Sequence, residues 1–314
     1  MQLQFKEINI MNNEKFYNDV MEKVKEHYGE KANVFLSDVT KNNGLMKKGL
    51  CVRINGSNCG PTIYLNDFYE DFRKGKSLDL IMDDIIKLFE EYAVDGKVDL
   101  SFVSDFNAIY NKICFRLVDS VRNEEKLRNM PYRLIEDLAV TYYIALETLG
   151  IEGSIAINDK LMSVWEVTEE DLFEAAIDNT PRFLPAEIIP MGEFLGERTG
   201  RPELAVVFPK DDFLVASNEK YLGGATVILY PGLLGEVGDR IGNDFYIIPS
   251  SRHEVILISE TAVKNGAFNL KDMVKCVNDT CVLPEDVLSD NLYYYDRSGD
   301  NIKKVEYVED TMVL

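Results

Sequence analysis

The chain has 314 residues, 46% of them hydrophobic and 28% charged, which is enough to bury a sizeable core and too apolar for a disordered chain. Its 54 acids against 34 bases leave a formal net charge of −20, a field that repels phosphate backbones and anionic bilayers. Nucleic acid and membrane are therefore unlikely partners, and with no signal-peptide pattern and no run near the ~20 apolar residues that span a bilayer, a cytoplasmic location is expected.

Asn13 can cap a helix starting at Glu14, with Phe16, Tyr17, Val20, Val24 and Tyr28 at helical spacing and residues 1–12 as a flexible or extra N-terminus. Residues 33–40 read as a strand. Residues 49–54 and 62–65 read as a hairpin around Asn55-Gly56, and Asn66 or Asp67 caps a short helix. Ser77 caps an amphipathic helix whose apolar stripe runs through Ile81, Met82, Ile85 and Phe89, and Asp95-Gly96 breaks it. A helix over 104–112, a strand over 113–118, a charged helical turn over 122–128 and a hairpin of 138–146 with 153–157 follow.

Thr168, with Asp171 three residues on, starts a helix, Pro181 lies beyond its end, and the single Trp165 anchors the core before it. The Gly/Pro-rich residues 185–202 read as a mobile loop. Strands are expected over 204–208, 213–216, 225–230, 245–248 and 254–259, with a helix after Pro231 that Gly242 closes. A helix over 267–277 and strands over 292–295 and 302–307 finish the chain. In Tyr293-Tyr294-Tyr295 successive rings face opposite sides of a strand, so they form no stacking platform by themselves.

These elements predict an α+β fold of mixed, largely antiparallel sheets with flanking helices in two packed lobes, residues 13–163 and 164–314. Five cysteines are an odd number and give no disulfide framework. Cys51 and Cys59 flank one turn and Cys276 and Cys281 lie on one helix, and buried reduced thiols are the expected state. With two histidines in the chain and no ligand spacing, neither a metal nor a cofactor is expected, and Asp211-Asp212 is at most a weak cation turn. No phosphate-binding glycine pattern follows a strand; Gly223-Gly224 serves a turn, and Gly235 and Gly238 suit close helix packing.

Nucleophile and base chemistry meet in one place, the Pro249-Ser250-Ser251-Arg252-His253-Glu254-Val255 segment. There Ser250 or Ser251 would attack, His253 would act as base, and Asp244 or Glu254 would orient it. The competing reading is a tight turn whose serines satisfy backbone groups. Asn42, Asn43, Asn58 and Asn66 sit at the punctuation points of residues 41–71, where Asn tolerates positive φ and bonds nearby backbone, and they are the candidate binding residues. His27 reads as a favourable charge at a helix C-terminus.

Lys41-Asn42-Asn43-Gly44, Asn58 and Pro61-Thr62-Ile63-Tyr64-Leu65-Asn66 resemble the N-terminal signature of an uncharacterised bacterial family of unknown function. Phe115-Arg116-Leu117-Val118, Trp165-x-Val167-Thr168, Ala176 with Asn179-Thr180, and the Pro249-to-Val255 segment resemble its later blocks. Asp119 stands where an Asn is expected, and Arg252 where an apolar residue is. The resemblance implies one coherent folded unit and brings no activity, cofactor or partner. The leading expectation is a non-catalytic protein-interaction or regulatory module with an unidentified protein partner. A serine-type hydrolase is the alternative, and an acidic nucleic-acid mimic that binds a basic protein is a further one.

Overall fold

The computed structural model describes residues 2–93, 96–147, 153–266, 269–308 and 311–313, with side chains described outside 2–12, 308 and 311–313. The expected helix break at Asp95 and helix start at Ala267 lie outside these residues. The chain divides into two compact units, Met1–Lys41 with Leu45–Ser101, and Asn42–Gly44 with Phe102–Leu314.

In the first unit, helices α1 (Gln2–Tyr28), α2 (Leu65–Arg73) and α3 (Leu78–Glu91) accompany an antiparallel sheet of β1 (Ala32–Thr40), β2 (Met46–Ile54) and β3 (Thr62–Tyr64). Its core joins Phe16, Val20 and Val24 of α1 to Leu50 of the sheet and to the Ile81, Ile85 and Phe89 stripe of α3. Each such side chain taken out of water contributes about 1.5–3 kcal/mol. Ser77 caps α3, its hydroxyl accepting from the Leu80 N–H at 3.4 Å.

Two expectations are corrected here. The backbone of α1 is already helical from Gln2, so Asn13 lies inside the helix and is not its cap. Tyr64 occupies the N-cap of α2 without a side-chain bond, because the Asn66 carboxamide is used by the Lys48 N–H instead. The expected hairpin forms: β2 and β3 pair antiparallel across residues 55–61, Asn55-Gly56 makes the first turn with the Ser57 N–H donating to the Ile54 carbonyl at 3.0 Å, and Asn55 bonds Glu30 and Lys31.

The second unit starts with α4 (Phe106–Ile109), β4 (Ile113–Asp119), α5 (Glu124–Leu127), β5 (Tyr132–Ile135), β6 (Leu138–Ala145) and β7 (Ser154–Ala156). It continues with α6 (Asp159–Trp165), α7 (Glu169–Phe183), β8 (Ala186–Pro190), α8 (Met191–Thr199), β9 (Phe213–Asn218), α9 (Leu233–Ile241), β10 (Phe245–Ile248) and β11 (Val255–Ser259). Helices α10 (Glu260–Gly266) and α11 (Leu270–Thr280) and strands β12 (Tyr293–Asp296), β13 (Asn301–Lys304), β14 (Glu306–Val308) and β15 (Thr311–Val313) complete it. Strand β6 pairs with β4 on one side and with β5 and β7 on the other. A six-stranded sheet runs β13-β12-β10-β11-β9-β8, and every described pairing is antiparallel. The fold class is α+β, as expected.

Helices and strands cover both faces of the six-stranded sheet, so its central strands are buried throughout. Phe245 and Ile247 point into one core with Phe115, Tyr142 and Leu172, while Tyr246 and Ile248 point into a second with Val263 and Val274. Tyr293 and Tyr295 share the first core and Tyr294 the second, as period-two alternation requires. Because β4, β6 and α7 pack into the same core as β9 to β12, the unit boundary falls after Ser101 and not at residues 163–164.

Thr168 and Asp171 form a reciprocal capping box on α7, and Trp165 is buried at the end of α6. Pro181 lies inside α7, not beyond it. Residues 104–112 are broken into short turns around the α4 cap Asp105, and do not form one helix. The expected mobile loop at 185–202 is the ordered pair β8 and α8: a Cβ on Gly192 would lie 2.5 Å from the Leu204 carbonyl, so the glycine permits close packing of α8 on the next segment. The expected strands at 204–208 and 225–230 are the 3₁₀ segments Pro202–Val206 and Gly224–Leu229.

Candidate functional site

The fully buried β10 and the largely buried β11 hold the 249–254 loop between them. The loop is closed by its own polar groups. The Ser251 N–H donates to the Glu254 carbonyl at 3.1 Å, the His253 N–H donates to Ser251 Oγ at 2.9 Å, and Ser217 Oγ donates to the His253 carbonyl at 2.7 Å. Both serine hydroxyls turn to one carboxylate oxygen, Glu254 Oε1, at 3.4 Å from Ser250 and 3.2 Å from Ser251.

His253 faces elsewhere. Its Nδ1 accepts from the Gly223 N–H at 3.2 Å, and its Nε2 lies 3.2 Å from Asp286 Oδ1. An acceptor Nδ1 places the ring proton on Nε2, where it is donated to Asp286. Neither nitrogen then has a lone pair for a serine hydroxyl. Of the two expected orienting acids, Glu254 bonds the serines and not the ring, and Asp244 is engaged away from the loop, accepting from the Tyr294 hydroxyl at 3.0 Å and the Arg297 N–H at 3.1 Å. The structure thus brings Ser250, Ser251 and Glu254 together and commits the His253 ring to partners other than the two hydroxyls.

Asp286, which the sequence did not single out, is the carboxylate at this site. Arg252 Nε donates to its Oδ1 at 2.7 Å, and the Arg252 N–H donates to its carbonyl at 2.7 Å. The segment that carries Asp286 is held by two of the predicted asparagines. Asn43 Nδ2 donates to the carbonyls of Pro284 and Val287, both at 2.8 Å, and Asn42 Nδ2 donates to that of Glu285 at 2.8 Å. Asn43 itself is at φ 58, a conformation Asn tolerates, and the buried Asn123 locks it by accepting from its N–H at 2.9 Å and donating to its Oδ1 at 3.0 Å. Asn42, Asn43 and the 249–254 loop, far apart in sequence, therefore meet on residues 284–287.

Asn58 and Asn66 are not part of this arrangement. In the first unit Asn58 exchanges two bonds with the Val98 backbone, at 2.8 and 2.9 Å, and Asn66 accepts from Lys48. Both pin backbone.

A cleft of about 380 Å³ opens beside the loop. It is lined by Ser250, Ser251, His253, Glu254 and Asp286, by Cys281, Val282 and Leu283, and by Arg198 and Tyr221. Arg198 lies over two rings, 5.0 Å from the centroid of Phe194 and 4.8 Å from that of Tyr221. Tyr221 adopts φ 50, a strained conformation for a tyrosine, held by the buried Asn218, whose carboxamide bonds Lys220 and Leu222. Burial and a hydrogen bond to Glu187 push its phenol up to about 12. On β4, burial lowers the Arg116 guanidinium from its ordinary value and pushes the Cys114 thiol up to about 11.

The remaining sequence candidates have structural partners. Asp211 accepts from Arg240 and Asp212 from Ser259, and no group of three metal-ligating side chains occurs among the described residues. Gly224 permits a close approach, since a Cβ there would lie 2.1 Å from Ser217 Oγ and 2.3 Å from the His253 carbonyl. Gly238 does the same for Arg297 in α9. Of the five free thiols Cys114 alone is buried, and Cys276 and Cys281 are exposed, which corrects the expectation of buried thiols.

A family model described as a family of unknown function (DUF5688) matches residues 13–297. The chain belongs to the DUF5688 family. That span includes Asn42, Asn43, the 249–254 loop and Asp286, so the whole cleft lies within the DUF5688 match, and the expected membership of a family of unknown function holds. No curated protein and no solved structure matches the chain.

Proposed function

We propose that this DUF5688 protein is a non-catalytic binding module, of the protein-interaction or regulatory type, whose working surface is the cleft beside the 249–254 loop. The observation that carries this reading is the commitment of His253: one nitrogen to the Gly223 N–H, the other to Asp286. A general base must reach the proton it takes, and a serine nucleophile must hold a hydrogen bond to that base. Here the two serine hydroxyls instead end on Glu254. The loop and the Asn42–Asn43 clamp supply a rigid wall, which suits recognition.

No helix among the described residues is long and apolar enough to cross a membrane, which fits a cytoplasmic role. The acids are interleaved with cations: Lys48 lies beside Glu14 and Asp38, Lys76 beside Asp71 and Asp84, and Arg133 beside Glu169 and Glu170. These pairs lend no support to a nucleic-acid mimic.

The hydrolase alternative makes the opposite prediction in a direct assay. Incubation of the full chain with a fluorophosphonate probe, and with panels of chromogenic esters and fluorogenic peptides, is expected to give neither labelling nor turnover. Labelling of Ser250 or Ser251 that disappears in His253→Ala would overturn the binding reading.

A further inference from the structure

Two formal charges in the cleft have no ion-pair partner among the described residues. Arg198 rests on the Phe194 and Tyr221 rings and meets no carboxylate at ion-pair distance. Glu254, half-buried, accepts both serine hydroxyls on Oε1, while Oε2 carries no described bond and no cation lies against it. The third charged group facing the cleft, Asp286, is already paired with Arg252 and accepts a hydrogen bond from His253. The cleft thus presents one unmatched cation and one unmatched anion in a volume of about 380 Å³, within the range of about 300–1,000 Å³ typical of small-molecule sites.

We infer that the cleft takes a free α-amino acid, with the carboxylate on Arg198, the ammonium on Glu254 and the side chain along Val282 and Leu283. This rests on the reading of the cleft as a binding site. Glu254 is half-buried, so a ligand without a cation would leave it uncompensated, and Arg198, exposed over its two rings, is open to a carboxylate; a zwitterion answers both. A planar guanidinium stacked on aromatic faces is pre-organised for a carboxylate, and the strained Tyr221 backbone fixes one of those faces. The Ser250 and Ser251 hydroxyls hold Glu254 in place for the ammonium. The apolar wall of Val282 and Leu283 favours aliphatic amino acids over charged ones.

The test uses the full chain and two native thiols. Cys281 lines the cleft, and Cys276, also exposed, does not, so the second reports any general loss of reactivity. L-leucine is expected to slow alkylation of Cys281 several-fold and to leave Cys276 unchanged. N-acetyl-L-leucine, which lacks the ammonium, and L-leucinamide, which lacks the carboxylate, are each expected to bind at least about tenfold more weakly by calorimetry. Arg198→Gln and Glu254→Gln are expected to weaken leucine similarly, and Glu254→Gln keeps an acceptor for both serines, so the loop stays folded. Equal binding of leucine and its two derivatives, or no protection of Cys281 by any of the common amino acids, would overturn the inference and leave the non-catalytic reading standing. Fluorophosphonate labelling would remove that reading instead.

Discussion

Replacing Asn43 by alanine tests the clamp that holds Asp286 in place. The substitution removes two donated bonds, to Pro284 and Val287, and one accepted from Asn123. At about 0.5–1.5 kcal/mol net for each hydrogen bond, the loss is about 1.5–4.5 kcal/mol. Alanine at φ 58 adds about 1–2 kcal/mol of backbone strain, because its Cβ crowds the following carbonyl. The second unit should therefore lose about 2.5–6.5 kcal/mol, a shift of about 1–2 M in the urea midpoint at a slope of about 3 kcal/mol per M. Trp165 is the single tryptophan, buried in the second unit with its indole N–H donating to the Val103 carbonyl at 2.8 Å, so its fluorescence reports that unit. Asn43→Gly removes the same bonds without the Cβ and should recover about 1 kcal/mol of the loss. An unchanged midpoint in Asn43→Ala would refute the reasoning.

Further outcomes follow from packing and titration. Gly224→Ala should destabilise the second unit by about 1–3 kcal/mol or more, since two of the three nearest atoms to the new methyl belong to backbone that has nowhere to move, and a melting temperature equal to that of the parent would contradict the close approach. Thr168→Ala breaks the capping box of α7 and should cost about 1 kcal/mol by urea denaturation, with Thr168→Ser restoring most of it. Burial raises the phenols of Tyr142, Tyr230 and Tyr293 above their ordinary value, with Glu169 adding to the effect at Tyr142 and Asp137 at Tyr293. A raised folded pKa gives a stabilising contribution that is intact below about pH 10, where the unfolded phenol ionises, and is lost as pH climbs toward the folded values. Absorbance at alkaline pH should show these three ionising together with unfolding, and their titration near pH 10 in a protein with native Trp165 fluorescence would contradict the burial argument.

Where local physics decides the structure, the sequence was legible. Ser77 and the stripe of α3, the Thr168–Asp171 box and the alternation of Tyr293, Tyr294 and Tyr295 each depend on near neighbours, and each was read correctly. Residues 225–230 were misread because their Ala-Thr-Val-Ile-Leu composition favours a strand, whereas the left-handed Gly223 and the tight seat of Gly224 wind the segment into a 3₁₀ helix. Glycines 192 and 196 looked like loop residues and are instead points where α8 packs against the 201–205 backbone. The candidate site divided in the same way. The polar loop at 249–254 was visible as a cluster of chemistry-bearing side chains, and Asn43 as a residue suited to positive φ. Their common target was not visible: Asp286 is 33 residues from His253, and Asn43 is more than 240 from the carbonyls it holds, so no local pattern connects them. Asp244, one of the two acids that were read as the orienting group, is occupied by Tyr294 and Arg297 because strand pairing brings those two beside it.

The central claim is that His253 is a structural member of a binding cleft and not a base. With two histidines in the chain, His27→Gln leaves His253 as the sole imidazole, and nitrogen-15 NMR of that variant reads its tautomer directly. The account predicts the proton on Nε2 and a hydrogen-bonded, unprotonated Nδ1. A ring protonated on Nδ1, with Nε2 free to accept a proton from Ser250 or Ser251, would contradict it.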